Sequence, residues 1–190
     1  MAALTSFGDL WIAAAVYRNP RRTVLADPDA VLERVRELSG GDSVVQLFDA
    51  DPIISLRQIH AAVAAAYLAF RAGTNIARRV EIEVLLRLAA DTQIGRALRR
   101  IGVREDSREL GAAVMAKDRA EASNILRRVA ALVGGEEVSE EALGDEQKIG
   151  EALKFYGIGA EEVETVQAGS RREAALLLVL ERMATLDVER

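Results

Sequence analysis

From Leu10 to Arg18 the chain reads LWIAAAVYR, apolar almost without interruption. A run this short, apolar at odd and even positions alike, predicts a strand buried on both faces. The period then changes. In DPDAVLERVRELSGG, Val31, Leu32, Val35 and Leu38 recur at helical spacing, Asp27 or Asp29 is placed to cap the start, and Gly40-Gly41 end it. SVVQLFDA returns to β-branched and aromatic residues and predicts a second strand, which Pro52 prevents from running further. SLRQIHAAVAAAYLAFRAG predicts a long helix from an N-cap at Ser55 to a terminating Gly73, with Ile59, Val63, Ala66 and Phe70 facing inward.

GTNIARRVEIEVLLRLAADTQIGRALRR predicts two amphipathic helices, about 76–89 and 92–101, separated by Ala90-Asp91-Thr92. In the first, Ile82, Leu85, Leu86 and Ala89 share a face. Arg79, Glu83 and Arg87 fall at i, i+4 and i+8, where they can pair along the surface. In the second, Ile94, Ala97, Leu98 and Ile101 face inward, and Arg96, Arg99 and Arg100 outward. A strand near Leu110–Met115 follows. Next come a helix with Ala122, Ile125, Val129 and Leu132 inward, a short extended piece at Glu136–Val138, and a helix in DEQKIGEALKFYG. The last helix is SRREAALLLVLERMATLDVE, whose residues Leu176 to Leu180 wrap most of its circumference. A helix apolar all round is buried on most sides, by its own core or by a partner. Without repeats or a long linker, the chain reads as a single domain over residues 1–190. Strands and helices mix without regular alternation, so the expected class is α+β, a mixed two-layer sandwich with a small sheet packed by several helices.

Charge sharpens this picture. The chain as a whole carries −5, but Arg57 to Arg108 hold ten arginines against five acids, and Glu109 to Gly169 six bases against thirteen acids. A basic middle is the footprint that phosphate binding needs, and it is equally what solvated surface helices show. Arg78 and Arg79 open a helix, where the dipole does not favour cations, which gives them a reason beyond stability. The absence of cysteine excludes disulfides, thiolate metal sites and a cysteine nucleophile, and fits a cytoplasmic protein. The opening segment lacks a cationic leader and carries Asp9, so it is not read as a signal peptide, and no apolar run approaches membrane length.

Catalytic motifs are nearly lacking. His60 is the sole histidine and sits in an alanine-rich helix, where packing or hydrogen bonding explains it. There is no G-x-S-x-G and no Walker-type phosphate loop. GIGAEE, from Gly157, lacks the last glycine and the preceding strand of a dinucleotide loop. Glu136-Glu137 and Glu140-Glu141 read as solvated loop charges. No enzymatic activity, metal or cofactor is expected.

An ordered series of segments resembles one family. QLFDAD ends a strand and IISLRQIHAAV opens a helix; NIARRVEIEVLLRLA is followed by TQIGRALRRIGV; AAVMAKDRAEASNILRRVAALVGGEEV precedes the closing LLLVLERMATLDVE. From about residue 44 to 188 this series is similar to the Cgi/TPRKB family of subunits of the KEOPS (EKC) complex, of archaeal type. The resemblance implies a mixed α/β sandwich and a non-catalytic subunit that binds the complex's kinase/ATPase subunit. It also implies recruitment of tRNA, including the single-stranded 3′ CCA end, for threonylcarbamoyl-adenosine modification next to the anticodon. Carried onto this chain, tRNA contacts fall on Arg78, Arg79, Arg87, Gln93, Arg96 and Arg100, since arginine's planar fork pairs with phosphate and stacks on unpaired bases. Kinase contacts fall on Leu85, Leu177, Leu180 and Met183. Relatives often have Gly-x-Arg-Gln-Ile where this chain has Ala90-Asp91-Thr92-Gln93-Ile94, so an arginine is missing and Asp91 added. The alternative function is a self-associating structural or interaction protein, paired through its last helix, with no nucleic-acid role.

Overall fold

The computed structural model describes residues 3–186. A hairpin, β1 (Ala3–Phe7) and β2 (Leu10–Arg18), opens the chain, followed by α1 (Arg22–Leu25), α2 (Pro28–Glu37), β3 (Val44–Asp49) and α3 (Leu56–Ala72). Next come α4 (Val80–Ala89), α5 (Ile94–Ile101), β4 (Glu109–Ala116), α6 (Arg119–Val133) and the two-residue β5 (Glu136–Glu137). The chain ends in α7 (Glu140–Leu143), α8 (Glu146–Tyr156), α9 (Ala160–Thr165) and α10 (Arg171–Thr185). The predicted continuation of the last helix through Glu189 lies outside the described residues.

The sheet order is β1-β2-β4-β3, with β5 beside β2 and every pairing antiparallel. The α+β class therefore holds. The two-layer arrangement is replaced by three layers, because the sheet is apolar on both faces and each needs a cover. Ile12, Ala14, Val16, Phe48, Ala113 and Met115 pack with α3, α4, α8 and α10. Ala13, Ala15, Tyr17, Leu47, Ala112 and Val114 pack with α1, α2 and α6. All eight residues of β4 are buried, as befits a central strand. Gly111 on β4 stands opposite Phe48 of β3, whose ring lies 2.1 Å from where a Cβ would be, so only glycine admits that ring.

Local capping follows the sequence. Asp27 accepts the Ala30 N–H at 3.0 Å, Ser55 accepts the Arg57 N–H at 3.1 Å, and Gly73 closes α3 at φ 68°. Glu140 is not a solvated charge. It accepts the Ser55 hydroxyl at 2.7 Å and the Leu56 N–H at 3.0 Å and pairs with Arg172, joining α3, α7 and α10. The hairpin at the N-terminus is held from below by α3: Tyr67 donates to Asp9, and the Phe7 and Tyr67 rings meet edge to face.

Helix α4 differs most from its sequence pattern. Seven consecutive residues, Glu83 to Ala89, are buried, because α3, α5, α10 and β3 all pack against it. The all-round burial expected of α10 belongs to α4. Its Glu83 and Arg87, expected outside, are 0% and 1% exposed. They pair internally at 3.0 Å.

Candidate functional site

The turn between α4 and α5 is built on Asp91. Ala90 takes the left-handed conformation at φ 47°, and the Asp91 N–H bonds back to the Leu86 carbonyl at 3.1 Å, closing α4. The Asp91 carboxylate accepts the Gln93 N–H at 2.8 Å. It also receives a two-pronged contact from Arg96, 2.8 Å from Nε and 3.0 Å from Nη2, and lies 3.9 Å from Arg100. The hydrogen bonds from Arg96 hold the Asp91 carboxyl below its ordinary range. Asp91 is thus a fastener, and much of Arg96 is committed to it. Arg100 is committed as well. It donates to the Ala89 carbonyl at 3.1 Å and to the Phe155 carbonyl, and its guanidinium lies 4.2 Å from the Phe155 ring centre.

Helix α5 is held by Ala97 and Ile101, which are buried. Ile94 and Leu98, expected inward, are 41% and 42% exposed. An eight-residue helix resting on α4 buries one narrow stripe, and Ala97 and Ile101 already fill it. Ile94 and Leu98 stand four residues apart and so lie side by side on the surface. Gln93, Arg96 and Arg99 are exposed around them. Arg99 makes no ion pair among the described residues. The outcome is an apolar pair rimmed by cations.

The remaining expected contacts divide. Arg78 and Arg79 are exposed at the start of α4. Arg79 pairs with Glu81, and Arg78 makes no ion pair among the described residues. Below them Glu83 accepts the N–H groups of Ile76 and Ala77 at 2.9 and 2.8 Å, which fixes the loop carrying both arginines. A ten-residue helix is about 15 Å long, so Arg78 and Arg79 stand well apart from Gln93, Arg96 and Arg100 at its other end. Arg87 is inside the protein and is withdrawn from any surface. On α10, Leu177 is 41% exposed and Leu180 half-buried, whereas Met183, like Leu85 on α4, is buried. Of the four apolar contacts expected for a kinase, two therefore reach the surface.

A further charged feature escaped sequence reasoning. Arg96, Arg100, Arg104 and Arg108 recur every four residues, and each meets a carboxylate. Arg104 lies 2.9 Å from Asp49, and Arg108 3.3 Å from Asp51 and 3.6 Å from Glu151. The spacing was legible; Arg96 and Arg100 meet the nearby Asp91, whereas the acids opposite Arg104 and Arg108 come from β3, the turn after it and α8, far away in sequence. Burial raises the Asp49 carboxyl above its ordinary range. Next to this row an open cleft of about 310 Å³ is lined by Arg18, Asp51, Arg108, Glu109, Lys148 and Glu151. There Glu109 takes Arg18 at 2.7 Å and Lys148, which also donates to the Ala50 carbonyl at 3.2 Å. The excess positive charge of the middle segment is therefore largely matched in the folded protein, and its arginines without an ion pair among the described residues are Arg57, Arg78 and Arg99. No group of three or more metal-ligating side chains occurs among the described residues, and no described helix is long and apolar enough to cross a membrane.

The model of the kinase-binding protein CGI-121 family matches residues 28–187. The chain belongs to the CGI-121 family. The match spans α2 to the end of α10, so it includes both exposed patches, the one on α5 and the one on α10. The hairpin strands β1 and β2 precede it. No curated protein matches the chain. As a CGI-121 kinase-binding protein, it owes its partner a docking surface, and exposed apolar side chains on rigid helices are the material of such surfaces.

Proposed function

We propose that this protein is a non-catalytic regulatory subunit of the KEOPS complex, which docks on the complex's kinase/ATPase subunit and recruits tRNA for threonylcarbamoyl-adenosine modification. The observation that carries the nucleic-acid half is the face of α5. Ile94 and Leu98 form an exposed apolar platform beside Gln93 and Arg99. Unpaired bases, such as those of a CCA end, stack on apolar or guanidinium faces while arginines hold the phosphates. Arg78 and Arg79 serve the same polyanion about a helix length away, and Arg96 and Arg100 act chiefly by holding the turn in place. The kinase half rests on family membership and falls on Leu177 and Leu180 of α10.

Two variants separate the halves. Leu98→Glu places a carboxylate on the platform, where it abolishes a tRNA gel shift while co-purification with the kinase subunit persists. Leu177→Arg has the reverse effect. Both positions are exposed, so circular dichroism and melting stay close to wild type. Wild-type affinity for tRNA falls steeply with salt and weakens when the CCA end is trimmed. If Leu98→Glu leaves the tRNA shift intact, or if both variants lose both partners, the assignment of faces fails.

A further inference from the structure

The β1–β2 hairpin leaves an open sheet edge whose pattern suits one particular neighbour. Phe7 pairs with Leu10 across the two-residue turn Gly8-Asp9, and Gly8 has φ 59°. This is the geometry of a tight hairpin with glycine first in the turn, in which the flanking residues form a hydrogen-bonded pair. Counting back, Ala3, Thr5 and Phe7 direct their N–H and C=O groups toward β2. Leu4 and Ser6 direct theirs outward, and no group among the described residues bonds to them. Edge strands are ordinarily blunted by charge, proline or a bulge. β1 reads ALTSF and has none of these.

We infer that β1 pairs antiparallel with β1 of a second copy of this chain, about a two-fold axis through Thr5. In that register Leu4 exchanges both backbone hydrogen bonds with Ser6 of the second copy, and the symmetry repeats the exchange. All four outward donors and acceptors of each strand are thereby satisfied. Thr5 stands against Thr5 as a close non-hydrogen-bonded pair, a favourable cross-strand combination. On the α3 side, small Ala3 meets large Phe7, and on the opposite side Leu4 meets Ser6; Ala3, Phe7 and Leu4 keep the faces on which they already pack. No like charges oppose one another, because the strand carries none. The helices leave room. α3 packs chiefly over β2, and the two β2 strands would be three strand spacings apart, about 14 Å, against a helix diameter of about 10–12 Å.

The absence of cysteine from the chain makes the register directly readable. Thr5→Cys puts two thiols on the axis with Cα atoms about 4.5 Å apart, within disulfide reach. Ser6→Cys, one residue away, puts its two thiols on the diagonal, about 7–8 Å apart and out of reach. With copper phenanthroline as oxidant, the Thr5→Cys dimer is expected to form at least about tenfold faster than the Ser6→Cys dimer. Sedimentation of the wild type should show a dimer growing through the micromolar range. Ser6→Pro removes an outward donor without touching the β1–β2 bonds, so it should sediment as a monomer with unchanged melting. Equal cross-linking rates, or a wild type monomeric at every concentration, overturn the inference. So does a monomeric wild type whose capture by the kinase subunit is lost in Ser6→Pro, which would assign the edge to a foreign strand.

Discussion

Removing Arg87 tests the energetic centre of α4. Arg87 and Glu83 are fully enclosed, with Nη2 and Nε of the arginine 3.0 and 3.3 Å from the same Glu83 oxygen. The other Glu83 oxygen accepts the N–H groups of Ile76 and Ala77. Arg87→Met leaves a buried carboxylate without its cation, which costs about 3–5 kcal/mol. In a domain of this size each kcal/mol moves the melting temperature by roughly 2–4 °C, so the loss is on the order of 6–20 °C. The double variant Arg87→Met, Glu83→Leu removes both charges and recovers that penalty. It does not return to wild type, because the two N–H groups lose their acceptor at about 1–3 kcal/mol each. Thermal and urea unfolding of the wild type, both single variants and the double close the cycle. Arg87→Met should be clearly destabilised, and the coupling should be well above the roughly 0.5 kcal/mol seen for independent sites. An Arg87→Met loss below about 1 kcal/mol would refute the view that this pair is an enclosed structural element.

Two further outcomes are expected. His60 is the only histidine, and burial lowers its pKa below 6.5, an effect the bond to the Ala3 carbonyl partly opposes. A lowered folded value means that the unfolded chain takes up the proton first, so stability is full above about pH 6.5 and is lost as pH falls through and below it. His60→Gln should flatten that slope between about pH 5 and 7 in urea titrations, and an unchanged slope would place its origin elsewhere. Gly111→Ala should destabilise strongly, by about 2–4 kcal/mol, because its methyl would enter the Phe48 ring; Phe48→Leu in the same chain should recover part of the loss, and a neutral Gly111→Ala would contradict the close approach.

Much of the fold was legible in advance. The strands at Leu10–Arg18, Val44–Asp49 and Glu109–Ala116, the long α3 with its Ser55 and Gly73 ends, and α6 and α8 all follow from period, caps and glycine stops. These signals are local, so a single sequence contains them. β1 was missed because five residues around a Gly8 turn offer too short a pattern. The short helices α1, α7 and α9 were missed for the same reason. The family was legible too, through the order of segments rather than any one motif.

The binding surfaces were legible only in part, and the reason is physical. Periodicity tells which residues share a side of a helix, but not how many sides the rest of the protein covers. α4 and α5 carry similar stripes, yet four neighbours enclose α4 and draw Glu83 and Arg87 inside, whereas α5 lies on top and leaves Ile94 and Leu98 in solvent. Net charge along the chain is likewise a property of composition, while the charge a ligand meets depends on which distant carboxylates fold opposite each arginine. Sequence alone determined the longer elements, the class and the kinship of this protein. Tertiary packing decided which of its arginines and leucines are free to touch anything else.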